Sequence, residues 1–126
     1  MPKILSAEPQ LFVTDLDAAL AFYRDGLGFT LAFTYGAPPF YAQVARGGAR
    51  LNLRLASGPV YDPGFRARES DALAATIALD QAQSLFNEFE SAGVAMHQPL
   101  RTQPWGARTF IVRDPDGNLI AFAAAG

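Results

Sequence analysis

The chain has 126 residues, and its 10 Lys and Arg against 12 Asp and Glu give a formal net charge of −2. It contains no cysteine and a single histidine, His97, which excludes a disulfide scaffold, a zinc finger, thiol catalysis and any site that needs two imidazoles from one chain. The near-zero charge argues against a nucleic-acid-binding protein, and the absence of a signal peptide or a membrane-spanning apolar run predicts a cytoplasmic location.

The first half of the chain predicts one strand, one helix and three further strands. A short apolar strand runs into Thr14 and Asp15, either of which can cap the following helix. Apolar side chains then recur at helical spacing from Leu16 to Leu27, and glycines end the helix where a left-handed residue is needed. The predicted strands of this half cover residues 10–13, 29–35, 40–45 and 50–55, the last two joined by a turn at Gly47 and Gly48.

The second half repeats this order of elements. Residues 56–71 contain several glycines and prolines, lack a clear period and are predicted to be a loop with Tyr61 and Phe65 as aromatic anchors. Asp80 is expected to cap a helix that ends at Gly93. The predicted strands cover residues 73–79, 94–97, 109–112 and 119–123, with a turn at residues 114–118.

The two halves match at a fixed offset. Asp15 and Asp80 are 65 residues apart, as are Gly28 and Gly93, which indicates an internal duplication. We therefore predict an α+β fold of two βαβββ modules that form curved mixed sheets around a cleft. A single domain covers residues 1–126, with module one at about 8–57, a loop at about 58–70 and module two at about 71–124.

Two segments carry a family likeness. The stretches VTDLDAALAFYRDGLGF (residues 13–29) and QPWGARTFIVRDPDGNLIAF (residues 103–122) resemble the glyoxalase/bleomycin resistance superfamily, also called the vicinal oxygen chelate superfamily. The Pro-Trp-Gly and Asp-Pro-Asp-Gly-Asn sequences of the second stretch are similar to its bleomycin resistance branch. That resemblance implies a homodimer with clefts at the subunit interface, and an N-terminal strand exchanged between subunits near Pro9.

The resemblance also implies four metal-ligand positions, typically His or Glu in the metal-dependent enzymes. In this chain they fall at Glu8, Asn52, Ala74 and Ala121. Alanine has no donor atom, and a catalytic zinc-type site needs about three protein ligands. We therefore expect no metal, no cofactor and no catalytic residue, and His97 is read as structural.

The resemblance further implies a flat aromatic ligand that stacks on aromatic side chains of the cleft. Trp105 matches the tryptophan of the bleomycin resistance branch, and Phe40 occupies the aromatic position after the second strand. Asn52 and Arg54 share one face of their strand, and Arg54 could bind an anionic or carbonyl group. The candidate ligand-binding residues are Trp105, Phe40, Asn52, Arg54, Phe33, Tyr35, Tyr61, Phe65 and Glu8. For each of them packing or solvent exposure is the alternative reading.

Three readings of the function remain at this point. The first is a metal-free binding protein that sequesters a planar aromatic ligand or antibiotic in a cleft at the dimer interface. The alternative is an enzyme of the same superfamily (a lyase, isomerase or dioxygenase) with non-standard metal ligands or none. A small dimeric domain without a dedicated ligand is a third reading of the same sequence.

Overall fold

A computed structural model describes residues 1–125 and contains two βαβββ units in succession. The first unit comprises β1 (Gln10–Val13), α1 (Leu16–Leu20, continued as a π-helix over Ala21–Gly26), β2 (Thr30–Tyr35), β3 (Tyr41–Arg46) and β4 (Ala49–Leu55). After a short linking helix, α2 (Pro63–Arg68), the second unit comprises β5 (Ala75–Leu79), α3 (Gln83–Ser91), β6 (Met96–Thr102), β7 (Arg108–Arg113) and β8 (Leu119–Ala124). None of the helices in residues 1–125 is long and apolar enough to cross a membrane.

Each unit forms its own four-stranded mixed sheet. The strand orders are β1-β4-β3-β2 and β5-β8-β7-β6, with the first pair of each sheet parallel and the other pairs antiparallel. The same order in both sheets confirms the predicted α+β fold of two βαβββ modules. Neither sheet closes into a barrel.

One face of each sheet packs on the helices, and the main core cluster spans both units. A separate, smaller cluster of the second sheet consists of Ile111, Leu119 and Ala121. Alternation along β4 decides which side chains enter the core: Leu51 is 1% exposed and Leu53 is fully buried, while Asn52 between them points away. In the second unit the core contains a cluster of phenylalanines with ring centroids 5.1–5.9 Å apart, namely Phe86, Phe89, Phe110 and Phe122. Such aromatic rings bury large apolar areas and favour edge-to-face contacts.

The helix starts differ between the two units. Asp15 caps α1, because its Oδ1 accepts a hydrogen bond of 3.0 Å from the Ala18 amide. The predicted cap at Asp80 is wrong: Asp80 Oδ1 accepts from the adjacent Gln81 amide, and α3 begins only at Gln83. The Gln81 side chain instead accepts from the Ser84 amide.

Several local features differ from the sequence prediction. The segment predicted as a loop contains α2, whose first turn is capped by Asp62 through the Phe65 amide. A β-bulge between Leu31 and Phe33 places Leu31 opposite Val44, so Leu31 packs on the core, whereas uninterrupted alternation would put it on the same face as Phe33 and Tyr35. The two matched glycines do behave alike, since Gly28 and Gly93 have φ of 72° and 77° after their helices.

A buried carboxylate joins the two units. Asp114 opens the turn between β7 and β8 and is 2% exposed. Its Oδ2 accepts hydrogen bonds of 2.8 Å from the Tyr23 hydroxyl of the first unit and from Asn118 Nδ2. Its Oδ1 accepts from the backbone amides of Asp116 and Asn118 at 2.9 and 2.8 Å. All buried side-chain polar atoms in residues 1–125 have a partner, as a stable buried network requires.

The same turn holds the first unit by two further contacts. Asn118 Nδ2 donates to the Phe12 carbonyl of β1 at 2.9 Å, and Asp116 accepts from the amide and hydroxyl of Thr14 at 3.0 and 2.6 Å. The Tyr61 hydroxyl donates to Asn118 Oδ1 at 2.9 Å and attaches the linking segment. One five-residue turn therefore fixes the position of β1, and with it the first sheet, relative to the second.

Removal of the Tyr23 hydroxyl should weaken this junction. We expect Tyr23→Phe to lower the free energy of unfolding by about 1.5–3 kcal/mol, because a buried carboxylate loses one donor. Tyr61→Phe is the matched control: its hydroxyl binds a neutral amide oxygen at a half-buried site, so we expect a loss of about 0.5–1.5 kcal/mol. Urea unfolding of both variants measures the difference, and equal losses would contradict the special role of the carboxylate.

The junction should also make stability depend on pH. Burial raises the pKa of Asp114 above its ordinary value, although hydrogen bonds from Asn118 and Tyr23 lower it. The folded protein then holds this proton more tightly than the unfolded chain. The free energy of unfolding of the wild type, relative to that of Asp114→Asn, should therefore increase as the pH falls from about 7 to about 4. Urea unfolding of both proteins across this range checks the sign.

Candidate functional site

The face of the first sheet that points away from the core is open to solvent, and we call it the open face. Strand register brings its members side by side: Tyr41 lies opposite both Tyr35 and Arg54, and Gln43 lies opposite both Phe33 and Asn52. The open face includes Phe12, Phe33, Tyr35, Tyr41, Gln43, Arg50, Asn52 and Arg54, with Glu8 and Phe40 at its margins.

The centre of the open face is polar. Gln43 Nε2 donates to Asn52 Oδ1 at 2.9 Å and to Glu8 Oε1 at 3.1 Å. Arg50 Nη1 donates to Gln43 Oε1 at 3.4 Å. The amide of Gln43 therefore connects the predicted candidates Glu8 and Asn52, and fixes the direction of both side chains.

One end of the open face is aromatic. The Phe33 and Tyr41 rings stack with centroids 6.3 Å apart, and the Tyr35 and Phe40 rings meet edge to face at 5.7 Å. The Arg54 guanidinium lies 5.5 Å from the Phe40 centroid, within range of a cation–π contact. Tyr35 is 67% exposed, so this end presents aromatic surface that the chain itself does not cover.

The four positions at which the metal-dependent enzymes hold their ligands do not supply a metal site here. Glu8 is the only charged side chain among them, and the Asn52 carbonyl oxygen already accepts a hydrogen bond from Gln43. The other two positions, Ala74 before β5 and Ala121 on β8, carry methyl groups. Within residues 1–125, no group of three or more His, Cys, Asp or Glu side chains is placed to hold a metal ion. No metal-assisted step follows from these residues.

Three of the predicted ligand-binding residues lie outside the open face. Trp105 is 75% exposed in the turn between β6 and β7 of the second sheet. Tyr61 binds Asn118, and the Arg66 guanidinium lies 4.2 Å from its ring centroid. Phe65 lies on α2 and is exposed. The chain thus brings Phe33, Tyr35, Phe40, Asn52, Arg54 and Glu8 together on one sheet, and leaves these three elsewhere.

His97 also lies apart from the open face. It is on β6, where its Nε2 is 2.7 Å from Asp71 Oδ1 and its Nδ1 is 3.5 Å from Arg113 Nη2. This arrangement attaches the segment after α2 to the second sheet.

A large groove lies between the two units and not on the open face. Its volume is about 830 Å³, and it runs between the turn at Gly47 and Gly48 on one side and β5 with the start of α3 on the other. An ion pair of 2.7 Å between Arg46 and Glu88 lines it. None of the predicted ligand-binding residues lines this groove.

Four residues of the open face were missed at the sequence level: Phe12, Tyr41, Gln43 and Arg50. Strand alternation could have found all four, because each is two positions from another residue of the open face or alternates with a buried neighbour. Gln43 had the clearest signal, as an uncharged polar residue inside an apolar strand.

Comparison with known proteins agrees with this architecture. The family model described as the glyoxalase/bleomycin resistance protein/dioxygenase superfamily matches residues 4–122. A bleomycin resistance protein of Geobacillus stearothermophilus is 30% identical over 94% of this chain and 96% of its own.

Two solved structures are similar over nearly their whole length. The bleomycin-binding protein of bleomycin-producing Streptomyces verticillus, complexed with copper(II)-bleomycin, is 30% identical, with a TM-score of 0.75 over 100% of this chain and 99% of that one. TioX from Micromonospora sp. ML1 is 26% identical, with a TM-score of 0.74 over 94% and 97% of the two chains. The sequence match and the two repeated sheets show that this chain belongs to the glyoxalase/bleomycin resistance protein/dioxygenase superfamily.

Proposed function

We propose that this protein is a metal-free binding protein that sequesters a planar aromatic ligand or antibiotic and breaks no bond in it. The open face carries the proposal. It combines stacked aromatic rings, which present a large apolar area with few rotamers to freeze, with a small set of fixed polar groups. This composition is typical of small-molecule sites.

The relatives support a binding role. Two proteins that are each 30% identical over nearly the whole chain are a bleomycin resistance protein and a bleomycin-binding protein solved with copper(II)-bleomycin. The lack of metal-competent side chains at Ala74 and Ala121 removes the donor atoms that metal-assisted chemistry would use. Binding without reaction is the function that remains for an aromatic face of this kind.

A second copy of the chain would complete the site. No other part of residues 1–125 faces the open face, and Trp105 lies exposed on the second sheet. In a homodimer, the second sheet of one subunit could pack against the first sheet of its partner. Residues 1–9 support this arrangement, because they have no regular structure and leave Ile4 and Leu5 93% and 86% exposed. We propose that this segment crosses to the partner subunit, with Pro9 where β1 begins.

Ligand binding should change the emission of Trp105, which is the only tryptophan in the chain. We expect titration with bleomycin, its copper(II) complex or other planar aromatic antibiotics to shift or quench this emission with saturation. Phe33→Leu should weaken the association by about threefold to tenfold, because a ring stack is lost while apolar volume is kept. Arg24→Gln, on the exposed surface of the π-helix, is the control and should bind as the wild type does.

Two results would contradict the proposed function. One is an emission that none of these compounds changes, with calorimetry also showing no heat of binding. The other is a purified wild-type protein that contains a stoichiometric divalent metal and has a catalytic activity, with both the metal and the activity lost in Glu8→Ala. The second result would favour the enzyme alternative.

The dimer should depend on the apolar side chains of the N-terminal segment. We expect the wild type to sediment as a dimer, and Ile4→Asp combined with Leu5→Asp to shift it toward the monomer, because two carboxylates would replace buried apolar contacts. Lys3→Asp combined with Ser6→Asp adds as many carboxylates to the same segment and should leave the dimer in place. A wild type that sediments as a monomer at all concentrations would contradict the exchanged segment.

A further inference from the structure

Charge is distributed unevenly between the sheets and the rest of the molecule. The chain has a net charge of −2, yet none of the eight strands contains an aspartate or a glutamate. The same strands contain six arginines: Arg46, Arg50, Arg54, Arg101, Arg108 and Arg113. The acidic residues lie on helices and connecting segments, so the sheets are basic in an acidic protein.

Two of these arginines, Arg50 and Arg54, lie on the open face, where the only carboxylate is Glu8 at the margin. Glu8 binds Gln43 and Ser6 and not an arginine. The ion pairs found in residues 1–125 join Arg46 to Glu88 and His97 to Asp71. Both arginines of the open face therefore carry a positive charge that no carboxylate of residues 1–125 neutralises within 4.0 Å.

From this arrangement we propose that the ligand of the open face is a planar aromatic compound that carries an oxyanion, such as a carboxylate, and that Arg54 selects it. This inference rests on the proposed function, because it names the class of compound that the same face binds. The ring would lie against the Phe33 and Tyr41 rings, and the oxyanion would meet the Arg54 guanidinium.

The surroundings of Arg54 suit this role. Its strand register places it between Phe12 and Tyr41, and Phe40 lies against its guanidinium. A guanidinium that contacts a ring keeps the N–H groups at its edge free to bind a carboxylate in a two-pronged arrangement. The Arg54 guanidinium makes no hydrogen bond or ion pair to the rest of residues 1–125, so the fold does not use these donors.

The aromatic surroundings also strengthen the selection. A bound ring would displace water from the guanidinium, and the attraction between opposite charges grows as the local dielectric constant falls. A cationic aromatic ligand of the same shape would meet Arg50 and Arg54 without a compensating carboxylate, apart from Glu8 at the margin. The face therefore distinguishes ligands by charge as well as by shape.

A charge series of otherwise matched compounds tests this selection. Anthracene-2-carboxylate, its neutral amide and 2-(aminomethyl)anthracene have the same ring system and differ in charge. Calorimetry at low salt should show that the carboxylate binds the full-length protein about tenfold more tightly than the amide, and that the ammonium compound binds most weakly. The preference for the carboxylate should decrease as salt is added.

Variants assign the preference to one side chain. Arg54→Gln should bring the carboxylate and the amide to equal affinity while the amide keeps its wild-type affinity, and Arg54→Lys should keep part of the preference. Arg24→Gln should change nothing. Circular dichroism and the thermal midpoint show whether each variant is folded. The charge series in the wild type is informative by itself, so the test does not depend on any one variant.

The outcomes separate this inference from the proposed function. Equal binding of the carboxylate and the amide overturns the selection by Arg54 and leaves an aromatic-binding site intact. Absence of binding by the carboxylate overturns the selection as well, and the Trp105 titration with the antibiotics then decides whether the proposed function survives. A preference for the ammonium compound would show that Glu8, and not Arg54, determines the ligand.

Discussion

The buried Asp114 carboxylate is the interaction on which the arrangement of the two sheets depends. It belongs to the second unit, but its partners include Tyr23 of the first, and the turn that it stabilises also holds Phe12 and Thr14. The four hydrogen bonds offset the free-energy cost of burying this carboxylate, and each bond that is not made leaves part of that cost uncompensated. Such a network has one satisfactory geometry, so it fixes how the two repeated units are joined.

The open face follows from that junction. Because the helices cover one face of each sheet and the turn at Asp114 anchors the start of the first sheet, the other face is left free along its whole length. Its aromatic end is then available for stacking, and its arginines are held away from the acidic residues on the helices. The charge of the proposed site comes from the residue types on β4, because alternation places Arg50 and Arg54 on the face opposite Leu51 and Leu53.

The repeated fold does not require the two sheets to have the same role. The matching positions of the sheets carry Glu8 and Asn52 in the first and Ala74 and Ala121 in the second, so any polar function of these positions is confined to the first sheet. The first sheet supplies stacked rings and cations, and the second supplies the exposed Trp105. A binding site that needs both would have to be assembled between copies of the chain, as the proposed homodimer does.

Much of the fold could be predicted because it depends on local signals. The period of the apolar residues, the turn residues and the offset between Gly28 and Gly93 specify two βαβββ modules, and alternation specifies that Asn52 and Arg54 point away from Leu51 and Leu53. The prediction failed where a local signal had close competitors: the Asp80 side chain accepts a hydrogen bond from the adjacent Gln81 amide and does not cap the helix. Alternation alone would also misplace Leu31, which a bulge turns toward the core. The hydrogen-bond partner of Asp80 and the position of the bulge depend on packing against residues that are distant in sequence, and local patterns do not specify those contacts.

The sequence by itself determined the repeat, the strand faces and the absence of donor atoms at Ala74 and Ala121, because each of these depends on residue type and spacing along the chain. Only the tertiary structure decided which residues meet. It joined Tyr23 to Asp114 across 91 positions, brought Gln43 between Glu8 and Asn52, and set Arg54 against Phe40. It also separated Trp105 from the aromatic rings of the open face. Contacts between distant segments depend on how the sheets and helices pack, and no local pattern encodes that packing.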